Sequence, residues 1–284
     1  MIGDYIYVDD GRIAATSFGD ILPSRSSFAS SPCCAKKRVA NINHVVNTTL
    51  SIPLNSEWTN ITVPIEVISR GTKPVANWPG LWADSDNMYS WGGDGVNGDD
   101  SAASSRELWV FTPDGSGSGT WDIQVPQNPS TFSLVIHRAR GAYTSCNGVG
   151  FYLGGYASVS TDNRINSIIP ISGLVTYDIK TQIWANESAS QFNSVDGKYT
   201  TGGSAVCLPN LGSSGMVMLF GGSVLGPDLY DTYQRGSLIP MDNIPIYDHS
   251  SKRWYWQTTT GGPPPPRLDF CAVGIQGPNG TFDL

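Results

Sequence analysis

Charge is scarce in this 284-residue sequence: Asp, Glu, Lys and Arg make up 14%, with 24 acidic against 17 basic residues and a formal net charge of −7. That balance excludes a broad basic surface for nucleic acid or anionic lipid, because such binding needs clustered Lys and Arg to displace counterions. The one basic knot, Lys36-Lys37-Arg38, reads as a solvated loop. Long apolar runs are missing too. The longest, Met216–Phe220, is strand-sized and far short of the roughly 18 residues of a membrane-spanning helix. The opening Met1-Ile-Gly-Asp-Tyr5 has neither the basic start nor the apolar core of a secretory signal. Five cysteines, Cys33, Cys34, Cys146, Cys207 and Cys271, form no Cys-x-x-Cys pair, so no metal site is expected of them. Cys146, Cys207 and Cys271 stand in strand-like stretches, where a buried thiol packs as a small hydrophobe; one disulfide is the alternative.

What the chain has in quantity is glycine (32), proline (19) and aromatics (11%), the profile of an all-β protein with many turns and a large core. It also has a period. A strand ending in a double glycine recurs as Tyr89-Ser-Trp-Gly92-Gly93, Phe151-Tyr-Leu-Gly154-Gly155 and Met218-Leu-Phe-Gly221-Gly222, the second glycines 62 and 67 residues apart. Trp58, Trp121, Trp184 and Trp254 follow at spacings of 63, 63 and 70. Seven residues before the last two stand Tyr177-Asp178 and Tyr247-Asp248, each reading as strand, tight turn, strand. Such a unit supplies about four short antiparallel strands, too few to hide both faces, so successive sheets must stack. The units fall near 1–65, 80–126, 138–190 and 200–258, with the start of a further one at 266–284. The first departs from the pattern: Asp9-Asp10-Gly11 replaces the double glycine, and a Ser-rich stretch over 14–43 reads as a disordered insert.

The succession of hydrophobic strand, Gly-Gly, loop, Tyr-Asp and tryptophan resembles the Kelch repeat. More narrowly, the long loops, the sequons and the closing "WYWQTTTGGPPPPRLDFCAVGIQGPNGTFDL" look like the extracellular Kelch-repeat proteins of filamentous fungi. The resemblance implies a Kelch-type β-propeller of about four blades plus the first strand of another. It also implies a piece of a longer chain, cut at both ends, that would add a signal peptide, further blades and a transmembrane helix.

Little on this scaffold points to chemistry. The galactose oxidase type of Kelch-like enzyme needs a copper centre of two His and two Tyr, yet the three histidines, His44, His137 and His249, lie in unrelated contexts and read as surface or strand-end residues. The acidic stretch Asp94, Asp99 and Asp100 misses the ligand spacing of a calcium loop and reads as strand and turn. No nucleophilic serine or phosphate cradle is present. The leading expectation is a non-catalytic interaction module without cofactor, contacting a protein or glycan through loops such as Leu225–Tyr233. A degenerate galactose-oxidase-like or sugar-active enzyme is the alternative. Pro263–Pro266 reads as a rigid connection. Sequons at Asn47, Asn60, Asn186 and Asn279 fit an extracellular or cell-surface location.

Overall fold

The computed structural model describes residues 2–9, 12–14, 43–45, 48–59, 61–95, 105–187, 189, 200–224, 238–278 and 281–283. They form an all-β protein of several antiparallel sheets. The first sheet has three strands, β1 (Tyr5–Val8), β4 (Thr48–Pro53) and β5 (Glu66–Ser69), with β4 in the middle. The next three are four-stranded meanders. The second is β7 (Gly80–Ala83), β8 (Met88–Trp91), β10 (Leu108–Pro113) and β11 (Gly119–Gln124). The third is β12 (Ala142–Cys146), β13 (Val149–Leu153), β16 (Leu174–Asp178) and β17 (Ile183–Glu187). The fourth is β19 (Ser204–Leu208), β20 (Met216–Phe220), β22 (Asn243–Asp248) and β23 (Arg253–Thr258).

Short two-stranded ribbons extend these sheets at one end: β2 (Arg12–Ala14) with β3 (Asn43–Val45), β6 (Ala76–Asn77) with β9 (Asp94–Gly95), β14 (Tyr156–Ala157) with β15 (Ile169–Pro170), and β18 (Thr200–Thr201) with β21 (Ser223–Val224). A last ribbon, β24 (Ile275–Gln276) with β25 (Phe282–Asp283), follows the fourth sheet. A short helix, α1 (Pro129–Leu134), lays Phe132 against Trp184. The segment read as an insert joins β2 to β3, and its residues 15–42 lie outside the described residues.

At the opposite end of the sheets the strands are joined by turns, several of them closed by an aspartate. Asp178 Oδ1 accepts from the Thr181 amide at 2.8 Å, and Asp248 Oδ1 from the Ser250 amide at 3.0 Å. Asp114 Oδ1 accepts from the Ser116 amide at 2.8 Å. This explains the aspartate of the Tyr-Asp pairs: its carboxylate takes over amides that a tight turn leaves without a ladder partner.

The sheets stack face to face through aromatic side chains. Phe111↔Trp121, Tyr177↔Trp184 and Tyr247↔Trp254 are cross-strand pairs, each turned towards the preceding sheet. Between the second and third sheets Trp82, Trp91, Tyr152, Tyr177 and Trp184 are all at most 1% exposed. Trp58 differs from the expected register. It lies in the β4–β5 connection, 39% exposed, with its indole N–H donated to the Pro53 carbonyl, because residues 54–65 replace the tight turn of the other units. The buried side chain of β5 is Ile68.

The expectation of buried thiols is corrected. Cys146 on β12 and Cys207 on β19 form a disulfide that joins the third and fourth sheets, while Cys271 is free and exposed. The adjacent first strands bring the two Cα atoms to 5.2 Å, within disulfide reach. The cysteines are 61 residues apart in sequence, and linking them restricts the unfolded chain. By loop-closure entropy that is worth about 4 kcal/mol. Cys146→Ser/Cys207→Ser should therefore lower unfolding free energy by about that amount in guanidinium titrations. An unchanged midpoint would exclude a stabilising role for the bridge.

Candidate functional site

The end of the sheets that carries the double glycines also gathers the most unusual backbone and polar side chains. Gly92 and Gly93 have φ of 78° and 99°. A Cβ on Gly92 would lie 2.4 Å from the Arg138 carbonyl oxygen, which instead accepts a hydrogen bond from the Gly93 amide at 2.9 Å. Gly221 and Gly222 repeat the arrangement against Arg267, with an amide-to-carbonyl distance of 2.8 Å. The glycines are thus where one unit's second strand meets the chain that leads into the next unit.

That leading chain has its own repeat. Trp78, Arg140, Gly202 and Asp269 each stand two residues before the first strand of a unit or the corresponding segment, and all have left-handed backbones, with φ of 54°, 60°, 66° and 52°. They form a relay of hydrogen bonds: Arg140 N to Trp78 O at 3.1 Å, Gly202 N to Arg140 O at 2.7 Å, and Asp269 N to Gly202 O at 2.8 Å. Three of the four are not glycine, so each carries a conformational cost that its neighbours must offset.

Their side chains meet. The Arg140 guanidinium grips Asp269 through both Nε, at 2.9 Å, and Nη2. It also lies over the Trp78 ring, 5.3 Å from its centroid. Trp78 is 44% exposed, an indole face offered to solvent beside a fixed ion pair. Close by, the Tyr156 hydroxyl donates to Asp94 Oδ2 at 2.5 Å. Burial and the Asp94 charge push the Tyr156 hydroxyl above the usual phenol range, against the pull of Arg140.

A shallow cleft at the same end of the sheets is lined by Lys73, Ser90, Gly92, Ser105, Glu107 and His137 among others. Burial pushes the Glu107 carboxyl up, partly countered by Ser105 and Arg106. His137, expected at a surface or strand end, is instead 3% exposed, because the chain leading to β12 passes inside the end of β8. Its Nε2 accepts from the Gly92 amide at 3.2 Å, which assigns the ring proton to Nδ1, facing the Thr161 carbonyl at 3.2 Å. Burial outweighs the nearby Asp162 charge and lowers its pKa to about 4, so the ring is neutral. The Arg138 guanidinium is likewise buried, which lowers its pKa to about 10.

The other predicted positions are dispersed. Asp94 is on β9 with Tyr156 as its partner, whereas Asp99 and Asp100 lie outside the described residues. His249 packs on Phe151 near a turn, away from His137, and His44 is on β3. Among the described residues no three His, Cys, Asp or Glu side chains gather as metal ligands. Asn186 is exposed on β17; Asn47, Asn60 and Asn279 lie outside the described residues, as does Leu225–Tyr233. Pro263–Pro266 is exposed and outside any strand. No described helix is long and apolar enough to cross a membrane.

Sequence reasoning missed Trp78, Arg140 and Asp269. Their spacings, 62 from Trp78 to Arg140 and 129 from Arg140 to Asp269, follow the repeat, but the residue types differ at each station. Only the backbone conformation is shared.

No family model and no curated protein matches the chain. Among solved structures, one titled "Structure of YjhT" is similar at 13% identity and a TM-score of 0.46, over 76% of this chain and 60% of that one. The chain thus spans less than two thirds of the length of the structure it matches.

Proposed function

We propose that this chain is a non-catalytic recognition module of the Kelch type, a partial β-propeller from a secreted or cell-surface fungal protein, whose double-glycine end binds a protein or glycan. The observation that carries the reading is the exposed indole of Trp78 held beside the Arg140–Asp269 ion pair on a strained backbone relay. Strained backbone concentrates where a protein presents groups to a ligand, and an aromatic face flanked by fixed donors and acceptors suits a sugar ring or a polar peptide. The Cys146–Cys207 bridge supports the extracellular part, since disulfides persist in oxidising compartments. The exposed sequon at Asn186 agrees with it.

The test is binding of the glycosylated, disulfide-intact protein to a glycan array and to extracts of cell-surface protein. Trp78→Ala should weaken a captured ligand by about tenfold or more, the loss typical of a contact residue at the centre of an interface, with little change in melting temperature. Full binding by Trp78→Ala would move the site elsewhere. A second reading, a degenerate sugar-active enzyme, is favoured by Glu107 alone, a carboxyl raised by burial in a polar cleft. Turnover on a sugar panel that disappears in Glu107→Gln would replace the first reading with the second.

A further inference from the structure

The charges around Trp78 restrict what can bind there. Arg140 lies over one face of the indole, 5.3 Å from its centroid, so the 44% exposure of Trp78 comes from the other face and the ring edge. The guanidinium is committed within the chain: Nε and Nη2 donate to Asp269, and only 10% of the side chain is exposed. Asp94, opposite Asn77 in the β6–β9 ribbon, accepts from the Tyr156 hydroxyl at 2.5 Å. Each of these charges thus has a partner in the protein.

Gly202 makes the arrangement possible. It is the relay station between Arg140 and Asp269, and a Cβ there would lie 2.8 Å from Asp269 Oδ1. A side chain at this station would push the carboxylate away from Arg140. The missing side chain is what lets Asp269 reach past one station and neutralise the guanidinium of the next.

A ligand of either sign meets opposition at this site. A cation on the open face of Trp78 would share the ring with the Arg140 guanidinium, which already draws on its quadrupole. An anion would face the Asp269 carboxylate, whose side chain is 39% exposed, and like charges at a contact are strongly unfavourable. Addition of a peptide strand is closed as well, because the carbonyls of Trp78, Arg140 and Gly202 and the amides of Arg140, Gly202 and Asp269 are used in the relay. What remains is one aromatic face, an indole N–H that bonds no described residue, and the outer lone pairs of Asp269. That is an apolar surface bordered by a donor and an acceptor, without net charge.

We propose that the Trp78 site takes an uncharged pyranose, the end unit of a neutral glycan. Its C–H face lies on the open face of the indole, and its hydroxyls, each both donor and acceptor, meet the polar groups at the border. Gly202 is a positioning residue: by leaving room for Asp269 it sets the charge selectivity of the site. The proposal rests on the reading that the Trp78 surface binds a ligand, and it names the class.

Saturation-transfer NMR on the disulfide-intact protein tests it with methyl pyranosides of gluco, galacto and manno configuration. Each is supplied as the neutral sugar, the uronate and the 2-amino sugar, at about pH 6, where the last two are charged. At least one neutral pyranoside should bind at millimolar concentration, with its uronate and amino counterparts about tenfold weaker or more. Asp269→Asn leaves Arg140 without its carboxylate and should bring the uronate level with the neutral sugar or above it. Gly202→Ala, which displaces the same carboxylate, should act in the same direction. A purely structural role for either residue would weaken all three forms together. Charged forms that bind the parent protein as tightly as the neutral sugar overturn the proposal, and so does the failure of every neutral pyranoside to bind. If the pyranosides fail but a captured protein ligand is lost in Trp78→Ala, the surface stands as a binding site and only the sugar assignment falls. If a neutral pyranoside binds the parent and Trp78→Ala equally, the site itself is misplaced and both readings fall.

Discussion

Replacing Trp184 by alanine is expected to destabilise the protein by about 3–5 kcal/mol, the cost of emptying a large buried aromatic site that cannot collapse. The ring is 1% exposed and has four aromatic neighbours, Phe132 at 4.8 Å, Tyr177 at 4.9 Å, Trp91 at 5.2 Å and Trp82 at 5.8 Å between centroids. Those neighbours come from the second sheet, the third sheet and α1, so relaxation into the cavity would have to move several elements together. The Trp184 indole N–H has no hydrogen-bond partner among the described residues. That makes a second substitution informative. Trp184→Phe keeps most of the contact and removes a buried donor without a partner, so its cost should stay below about 1.5 kcal/mol. Guanidinium unfolding of both variants checks the pair. Equal, small losses would mean that the tryptophan is peripheral; equal, large losses would mean that shape matters more than burial.

How much of this was legible follows from what each residue's partner is. Trp121, Trp184 and Trp254 could be placed because their partners, Phe111, Tyr177 and Tyr247, stand seven to ten residues away across a turn whose chemistry shows in the sequence. The double glycines could be placed for a similar reason, since a pair of glycines ending an apolar strand has few other uses. Trp58 kept the period but not the role, because spacing does not report that residues 54–65 form a long connection. Cys146 and Cys207 are 61 residues apart, and only the approach of β12 to β19 selects that pairing over the others. The relay of Trp78, Arg140, Gly202 and Asp269 was invisible because its repeating feature is a backbone angle, which four unlike residues can adopt when both neighbours hold it.

The unit that breaks the repeat carries the second large effect. Asp9 stands at the end of β1, where Gly92, Gly154 and Gly221 end the equivalent strands, and its carboxylate is fully buried. It accepts from Thr49 Oγ1 at 2.7 Å, Lys73 Nζ at 2.7 Å and Arg70 Nη2 at 3.0 Å. The network continues outward: Trp121 Nε1 donates to Thr49 Oγ1 at 2.8 Å, and the Lys73 ammonium lies over the Trp121 ring at 4.6 Å. Where the other units use a close backbone contact to join successive elements, this one uses a carboxylate between two cations. Asp9→Asn would remove the buried carboxylate that both cations share, and breaking a buried ion pair costs about 3–5 kcal/mol. The exposed pair Lys252–Glu187 should cost far less to break, on the order of 0–1 kcal/mol. Acidity separates the two kinds of effect. Burial raises the Asp9 pKa, but Lys73 and Arg70 together outweigh it, so the folded carboxyl titrates below its unfolded value. Its stabilisation is therefore complete above the ordinary carboxyl range near pH 4 and is lost only as pH falls through the lower folded value. The gap between parent and Asp9→Asn should stay constant from pH 7 to about 5 and close below pH 4. A gap that had already closed at pH 5 would mean that the cations do not control this carboxylate.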